Sequence, residues 1–159
     1  METEIKLIIA DIALNFAAIE YSCTNTLAYA INRDPLGSIL ASVAIQDMNL
    51  DQKVQKLRKA AELKYGSNPD LKDYIIGILD EISQLKVNRN RFIHGSWKFD
   101  SDQIECIEMK WKREDDTRWT RTTSTIYTID NLRELRDRTA AVSHAAGQMA
   151  VDVYTGRRN

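Results

Sequence analysis

Between residues 5 and 30, apolar side chains recur at steps of three and four without a break: Ile5, Ile9, Ile12, Phe16, Ile19, Cys23, Leu27 and Ala30. A period of 3.6 held for about seven turns specifies one long helix, because in a strand the same positions would scatter over both faces. Two further rows of this kind follow. Leu71, Ile75, Ile78, Ile82 and Leu85 run toward Arg89 and Phe92, and Leu132, Leu135, Thr139, Val142, Ala146, Met149 and Val153 stripe the last segment. Three long amphipathic helices must bury their stripes against one another, which makes a helical bundle the economical architecture.

Local punctuation fills in the rest. Asp34-Pro35 supplies an N-cap and a first-turn proline for a short helix carrying Leu36, Ile39, Leu40 and Val43. Asn49 followed by Gln52 reads as a capping box for a third helix, with core positions Val54, Leu57, Ala61 and Tyr65 and closure at Gly66. Asn68-Pro69 opens the fourth helix, and Gly95 is the expected left-handed stop. Asp130 or Asn131 is the expected cap of the last helix.

Beyond Gly95 the period falls to two. Trp97 and Phe99 alternate; Ile107, Met109 and Trp111 lie on one face of a second run; a polar turn at Glu114-Asp115-Asp116 leads to a third run from Trp119 to Thr128. The predicted fold is therefore mainly α, about five helices, with a small three-stranded antiparallel meander (approximately 96–128) inserted before the last helix. It is a single domain, 1–159, with residues 156–159 as a frayed tail.

Composition excludes several classes. A formal net charge of −1 gives no global field for nucleic acid, so any polyanion must meet a local patch. Cys23 and Cys106 lack metal-ligand spacing and sit in apolar surroundings, which suits buried thiols in a reducing cytoplasm. Asp11, Asn15 and Glu20 interrupt the first helix, so it reads as a core helix rather than a membrane span, and no signal peptide is visible. No metal cluster, phosphate-binding glycine loop or nucleophile elbow is present, and no cofactor is expected.

One segment departs from this plain picture. Arg89-Asn90-Arg91-Phe92-Ile93-His94-Gly95 places two arginines, an asparagine and one of two histidines at a helix C-terminus. Arg89 falls on the apolar row, where a guanidinium needs a partner or a ligand anion. Asn90 and His94, four apart, share a face. The negative end of the helix dipole favours a cation at His94, and histidine suits general acid–base work near neutrality. Arg89 and His94 are five apart and do not share a face. Their convergence on one small ligand calls for a loosened last turn or a second copy across a two-fold axis.

Arg89-Asn90-x-x-x-His94 followed by Gly95-Ser96-Trp97 resembles the motif of the HEPN superfamily in its bacterial "RN…HG-W" form. The specific residues match over 89–97 only, whereas the helical layout is similar over most of the chain. The resemblance implies a metal-independent endoribonuclease acting as a homodimer, a toxin or antiphage defence effector, with an antitoxin or regulatory protein as a further partner. In that reading His94 moves a proton at the ribose 2′-hydroxyl, Arg89 steadies charge on the scissile phosphate, and Asn90 orients histidine or substrate. The ends left are a 2′,3′-cyclic phosphate and a 5′-hydroxyl. Lys86, Arg91 and Lys98 are the expected phosphate contacts, and Glu20 is a candidate partner for Arg89. Other members are non-catalytic modules that bind RNA, nucleotide or protein.

Plainer readings stand beside these. Arg89 and His94 can form an ordinary helix terminus, with the histidine capping carbonyls and the arginine paired to Glu20 or Glu81. His144 reads as a helix-surface histidine. Trp97, Trp111 and Trp119 more often pack a sheet onto helices than stack bases.

Overall fold

The computed structural model describes residues 2–99, 103–114 and 117–156, with backbone only for 109–114 and 117–122. The expected Asp115-Asp116 turn and the tail beyond Gly156 lie outside the described residues. The fold is mainly helical, with the elements α1 (Glu2–Ile31), α2 (Pro35–Ile45), α3 (Leu50–Tyr65), α4 (Pro69–His94), β1 (Ser96–Phe99), β2 (Ile104–Glu114), β3 (Thr117–Tyr127) and α5 (Ile129–Thr155). The three strands form one antiparallel sheet in the order β1-β2-β3, placed before the last helix as expected.

The helices begin where side chains satisfy their orphan N–H groups. Asp34 accepts from Gly37 N at 3.0 Å. Asn49 and Gln52 form the reciprocal capping box, and Asn68 accepts from Leu71 N at 3.1 Å. The cap of α5 differs from expectation. Thr128 Oγ1 accepts from Asn131 N at 3.1 Å while Asn131 Oδ1 accepts from Thr128 N at 3.2 Å, so the cap is Thr128, two or three residues before the expected Asp130 or Asn131.

The long rows are buried as the periodicity requires. On α1 these are Ile5, Ile8, Ile12, Phe16, Ile19, Cys23, Leu27 and Ala30, with Ile8 taking the place expected of Ile9. On α4 they are Leu71, Ile75, Ile78, Leu79, Ile82, Leu85 and Phe92; on α5, Leu132, Thr139, Val142, Ala146, Met149 and Val153. By length and composition α1 could cross a membrane, a test that core helices also pass. The apolar row of α2 behaves differently. Leu36, Ile39, Leu40 and Val43 are 67%, 60%, 62% and 58% exposed, while Ser38, Ala41 and Ile45 are buried.

Two compact units divide the chain: Met1–Leu14 with Lys86–Arg138, and Asn15–Leu85 with Thr139–Asn159. In the second, the buried Lys53 ammonium is held by Glu20 at 3.3 Å. Arg58 bonds Asp80 at 2.6 Å, and Tyr29 stacks on Tyr154 with ring centroids 4.8 Å apart. In the first, Arg133 bridges Glu4 and Asp130, and the Lys6 ammonium lies 5.7 Å from the Phe99 ring centroid. The meander and the end of α4 belong to this unit and carry the motif residues 89–97.

Candidate active site at the end of helix α4

Pairing across the meander fixes which side chains share a face. Trp97 stands opposite Cys106 and Phe99 opposite Ile104; Cys106 in turn faces Thr125, and Ile104 faces Tyr127. Along β2 the buried residues are Ile104, Cys106 and Glu108, whereas Ile107 is only half-buried. Over the described side chains of β2 the inward face is thus the even-numbered one, and the row that begins at Ile107 lies on the other face. A carboxylate in that row hides the period, because burial of Glu108 is tolerable only with a cation beside it.

Arg91 is that cation. Its Nε donates to Glu108 Oε2 at 3.1 Å, with Glu108 only 9% exposed. The Tyr127 hydroxyl lies within electrostatic reach of Arg91 without forming a hydrogen bond of normal geometry. Burial pushes the Tyr127 phenol above its ordinary value, against the pull of the Arg91 guanidinium. Burial works against the charge on Arg91, but Tyr127 and Glu108 outweigh it and hold the guanidinium above its ordinary value. Phe92, Trp97 and Tyr127 complete the joint, with centroid separations of 4.9, 5.8 and 5.7 Å in tilted and edge-on arrangements. Trp97 therefore packs the sheet onto the helix. The side chains of Trp111 and Trp119 lie outside those described.

Gly95 closes this joint in an unexpected way. It does not take the left-handed conformation, which among the described glycines is adopted by Gly156 at φ 67°; Gly66 likewise ends α3 in right-handed geometry. Glycine is needed at 95 for space. A Cβ there would collide with the Arg91 carbonyl oxygen and with Cys106 Sγ. Cys106 Sγ meanwhile donates to the Arg91 carbonyl at 3.6 Å. Backbone and sulfur fill the volume a side chain would occupy.

On this mount the motif residues take different environments. Arg89 is half-buried, Asn90 and His94 are exposed, and Arg89 Nη1 donates to Asn90 Oδ1 at 3.4 Å. His94 makes no side-chain hydrogen bond among the described residues, so its imidazole faces solvent one turn beyond Asn90. Lys86 and Lys98 are exposed, as phosphate contacts would need to be. Arg91, the third expected phosphate contact, already has its carboxylate. Glu20 holds the Lys53 ammonium, and His144 is exposed on α5. Among the described residues, no three His, Cys, Asp or Glu side chains converge as a metal site.

No protein-family model matches this chain, and no curated protein or solved structure is detectably similar to it. The site is therefore read from its own geometry.

The anchoring role of Glu108, Tyr127, Cys106 and Gly95 escaped sequence reasoning. A signal was present in Cys106-x-Glu108, two residues of one strand face that continue the inward row from Ile104. A carboxylate in a row is by itself a sign of a solvent-facing strand face, and here its partner lies on another element.

Proposed function

We propose that the chain is a HEPN-like, metal-independent endoribonuclease that acts as a cytoplasmic homodimer, with Arg89, Asn90 and His94 at its centre. The observation that carries this reading is a solvent-facing Asn90 and His94 on the terminal turns of α4, beside an arginine held at the edge of the buried row. In the proposed reaction, neutral His94 takes the proton from a ribose 2′-hydroxyl. The 2′-oxygen forms a bond to phosphorus, the bond to the 5′-oxygen breaks, and the proton is returned to that leaving oxygen. Arg89 stabilises the doubly charged phosphoryl oxygens as the bond order changes, and Asn90 holds the guanidinium in position. Lys86 and Lys98 track flanking phosphates. A toxin or antiphage role, and control by an antitoxin, fit an enzyme of this class.

RNA incubated with the purified chain in excess chelator is expected to yield 2′,3′-cyclic phosphate and 5′-hydroxyl ends. His94→Ala should lower the rate by about 10²-fold or more, given the usual contribution of a general base. Cleavage by that variant at the wild-type rate would falsify the assignment.

The commitment of Arg91 to Glu108 favours a second reading, a non-catalytic HEPN-like module that binds RNA, nucleotide or protein. RNA binding that depends on Lys86 and Lys98, without cleavage under any of these conditions, would decide for it.

A further inference from the structure

The carboxylates at 105 and 108 of β2 have opposite fates. Glu108 is buried on the helix side of the sheet and neutralised by Arg91. Glu105 stands on the outer side, half-buried, and accepts a hydroxyl bond from Ser124 Oγ at 2.6 Å. Lys98 is the direct partner of Glu105 in the strand register, yet the two form no ion pair. The Lys98 ammonium and the Gln103 amide make no side-chain hydrogen bond among the described residues. The fold leaves these polar groups unused.

They line a cleft of about 650 Å³, within the size range of small-ligand sites. Lys98, Glu105 and Ile126 form one row across the three strands, and Phe99 and Gln103 close its edge. Ile126 is 59% exposed and gives the cleft an apolar floor. Strand β1 begins just after the motif, and Lys98 is four residues beyond His94. At ~3.5 Å per extended residue, their Cα atoms are no more than about 14 Å apart. An RNA strand with its scissile phosphate at His94 therefore reaches the cleft within a few nucleotides.

Acceptor chemistry narrows the ligand. A carboxylate donates nothing, and with the Ser124 hydroxyl on Oε1 it keeps lone pairs on both oxygens. Guanine alone among the RNA bases offers two adjacent donors, N1–H and the N2 amino group, to such a pair of acceptors. Adenine and cytosine set a ring acceptor beside their one amino group, and uracil flanks its single N–H with two carbonyls. Each of these turns a lone pair toward the carboxylate. The Gln103 amide can donate to guanine O6, Ile126 offers a surface to the ring, and Lys98 can meet the phosphate.

We propose that this cleft on the outer face of the meander binds a guanine base of single-stranded RNA, with Glu105 on its Watson–Crick edge and Lys98 on its phosphate. The proposal rests on the reading of the chain as one that acts on RNA. It adds a sequence preference to that reading, a guanosine a few nucleotides from the cleaved bond.

Short 2′-O-methyl RNAs, which lack the attacking hydroxyl, test it by fluorescence anisotropy with the full chain. Oligoadenosine strands carrying one central guanosine, cytidine or uridine are compared with the all-adenosine strand. The guanosine strand should bind about tenfold more tightly than the others, the usual discrimination of a bidentate pair. Glu105→Gln, close in size and checked for folding by circular dichroism, should bring all the strands within about twofold of one another. Lys98→Ala should weaken every strand by a similar factor, about threefold to tenfold, and keep the preference for guanosine. Titration with the guanosine strand should shift the Ile126 methyl resonances. No binding by any strand, equal binding of all of them, a guanosine preference that survives Glu105→Gln, or unmoved Ile126 methyls would each overturn the proposal. Because binding is read without cleavage, a missing guanosine preference leaves the His94 assignment standing. Guanosine-selective binding by a chain that cleaves nothing would leave the cleft standing and remove the ribonuclease.

Discussion

Helices α4 and α2 carry apolar rows of equal regularity, yet one row is sealed and the other is open. On α4, Leu71, Ile75, Leu79, Ile82 and Leu85 are at most 2% exposed. On α2, Leu36, Ile39, Leu40 and Val43 face water, and the residues turned inward are Ser38, Ala41 and Ile45, two of the three small. Periodicity therefore identifies a face without identifying what covers it. A 26-residue helix has enough row to organise the fold, whereas an 11-residue helix can dock through a serine, an alanine and one isoleucine.

Truncation separates the two rows most sharply. Leu79→Ala or Leu85→Ala should cost about 3 kcal/mol in urea unfolding, by lost transfer energy and the cavity left behind. A cost under about 1 kcal/mol would mean that the α4 row is far less tightly packed than its burial indicates. Next in size is the joint that ends α4. Gly95→Ala should cost about 2 kcal/mol, since neither a backbone carbonyl nor a buried sulfur can step aside cheaply. Glu108→Ala should cost a similar amount by leaving Arg91 against a buried face without its carboxylate. A neutral outcome for both would show that the sheet does not fix the helix end.

Alkaline titration offers a measure of how dry the buried rows are. Burial pushes Cys23 up to about 12 and Cys106 up to about 11. Unfolded thiols ionise near ~8.5, so above that pH the unfolded chain sheds protons that the folded chain keeps. The stabilisation is complete below about pH 8.5 and is lost as pH rises toward the folded values, by roughly 1 kcal/mol at pH 9 for Cys23. Urea midpoints at pH 7 and 9 provide the test, with Cys23→Ala as the control that should remove about half of the slope and leave the Cys106 share. The smallest effect is expected on α2, where Leu36→Ala or Val43→Ala in dilute solution should move stability by no more than about 0.5 kcal/mol. A loss as large as that of Leu85→Ala would erase the contrast between the helices.

Most of the scaffold was legible because its signals are local or strictly periodic. The rows on α1, α4 and α5, and the caps at Asp34, Asn49 and Asn68, follow from spacing and from single side chains that reach their own backbone. The motif was legible as a position: Arg89, Asn90 and His94 lie on the last turns of α4, the first half-buried and the other two exposed. What escaped required knowledge of partners distant in sequence. Glu108 disguised the inward face of β2 because its counter-charge is seventeen residues away on α4. Gly95 was mistaken for a conformational stop because its real constraint is Cys106, which meets it across the sheet. The direction of α2 was invisible because a helix that docks through small residues looks, in sequence, like one that docks through its leucines.

The crowding at Gly95 also sets how far the neighbouring imidazole can travel. With a carbonyl oxygen and a sulfur closing the space beneath the very next residue, the peptide after His94 has no room to swing. His94 is thus carried like a tool on a short, stiff arm, and its reach is limited to its own two side-chain torsions. In the proposed reaction RNA would have to be delivered to it, and discrimination among substrates would fall to the surfaces that make the delivery.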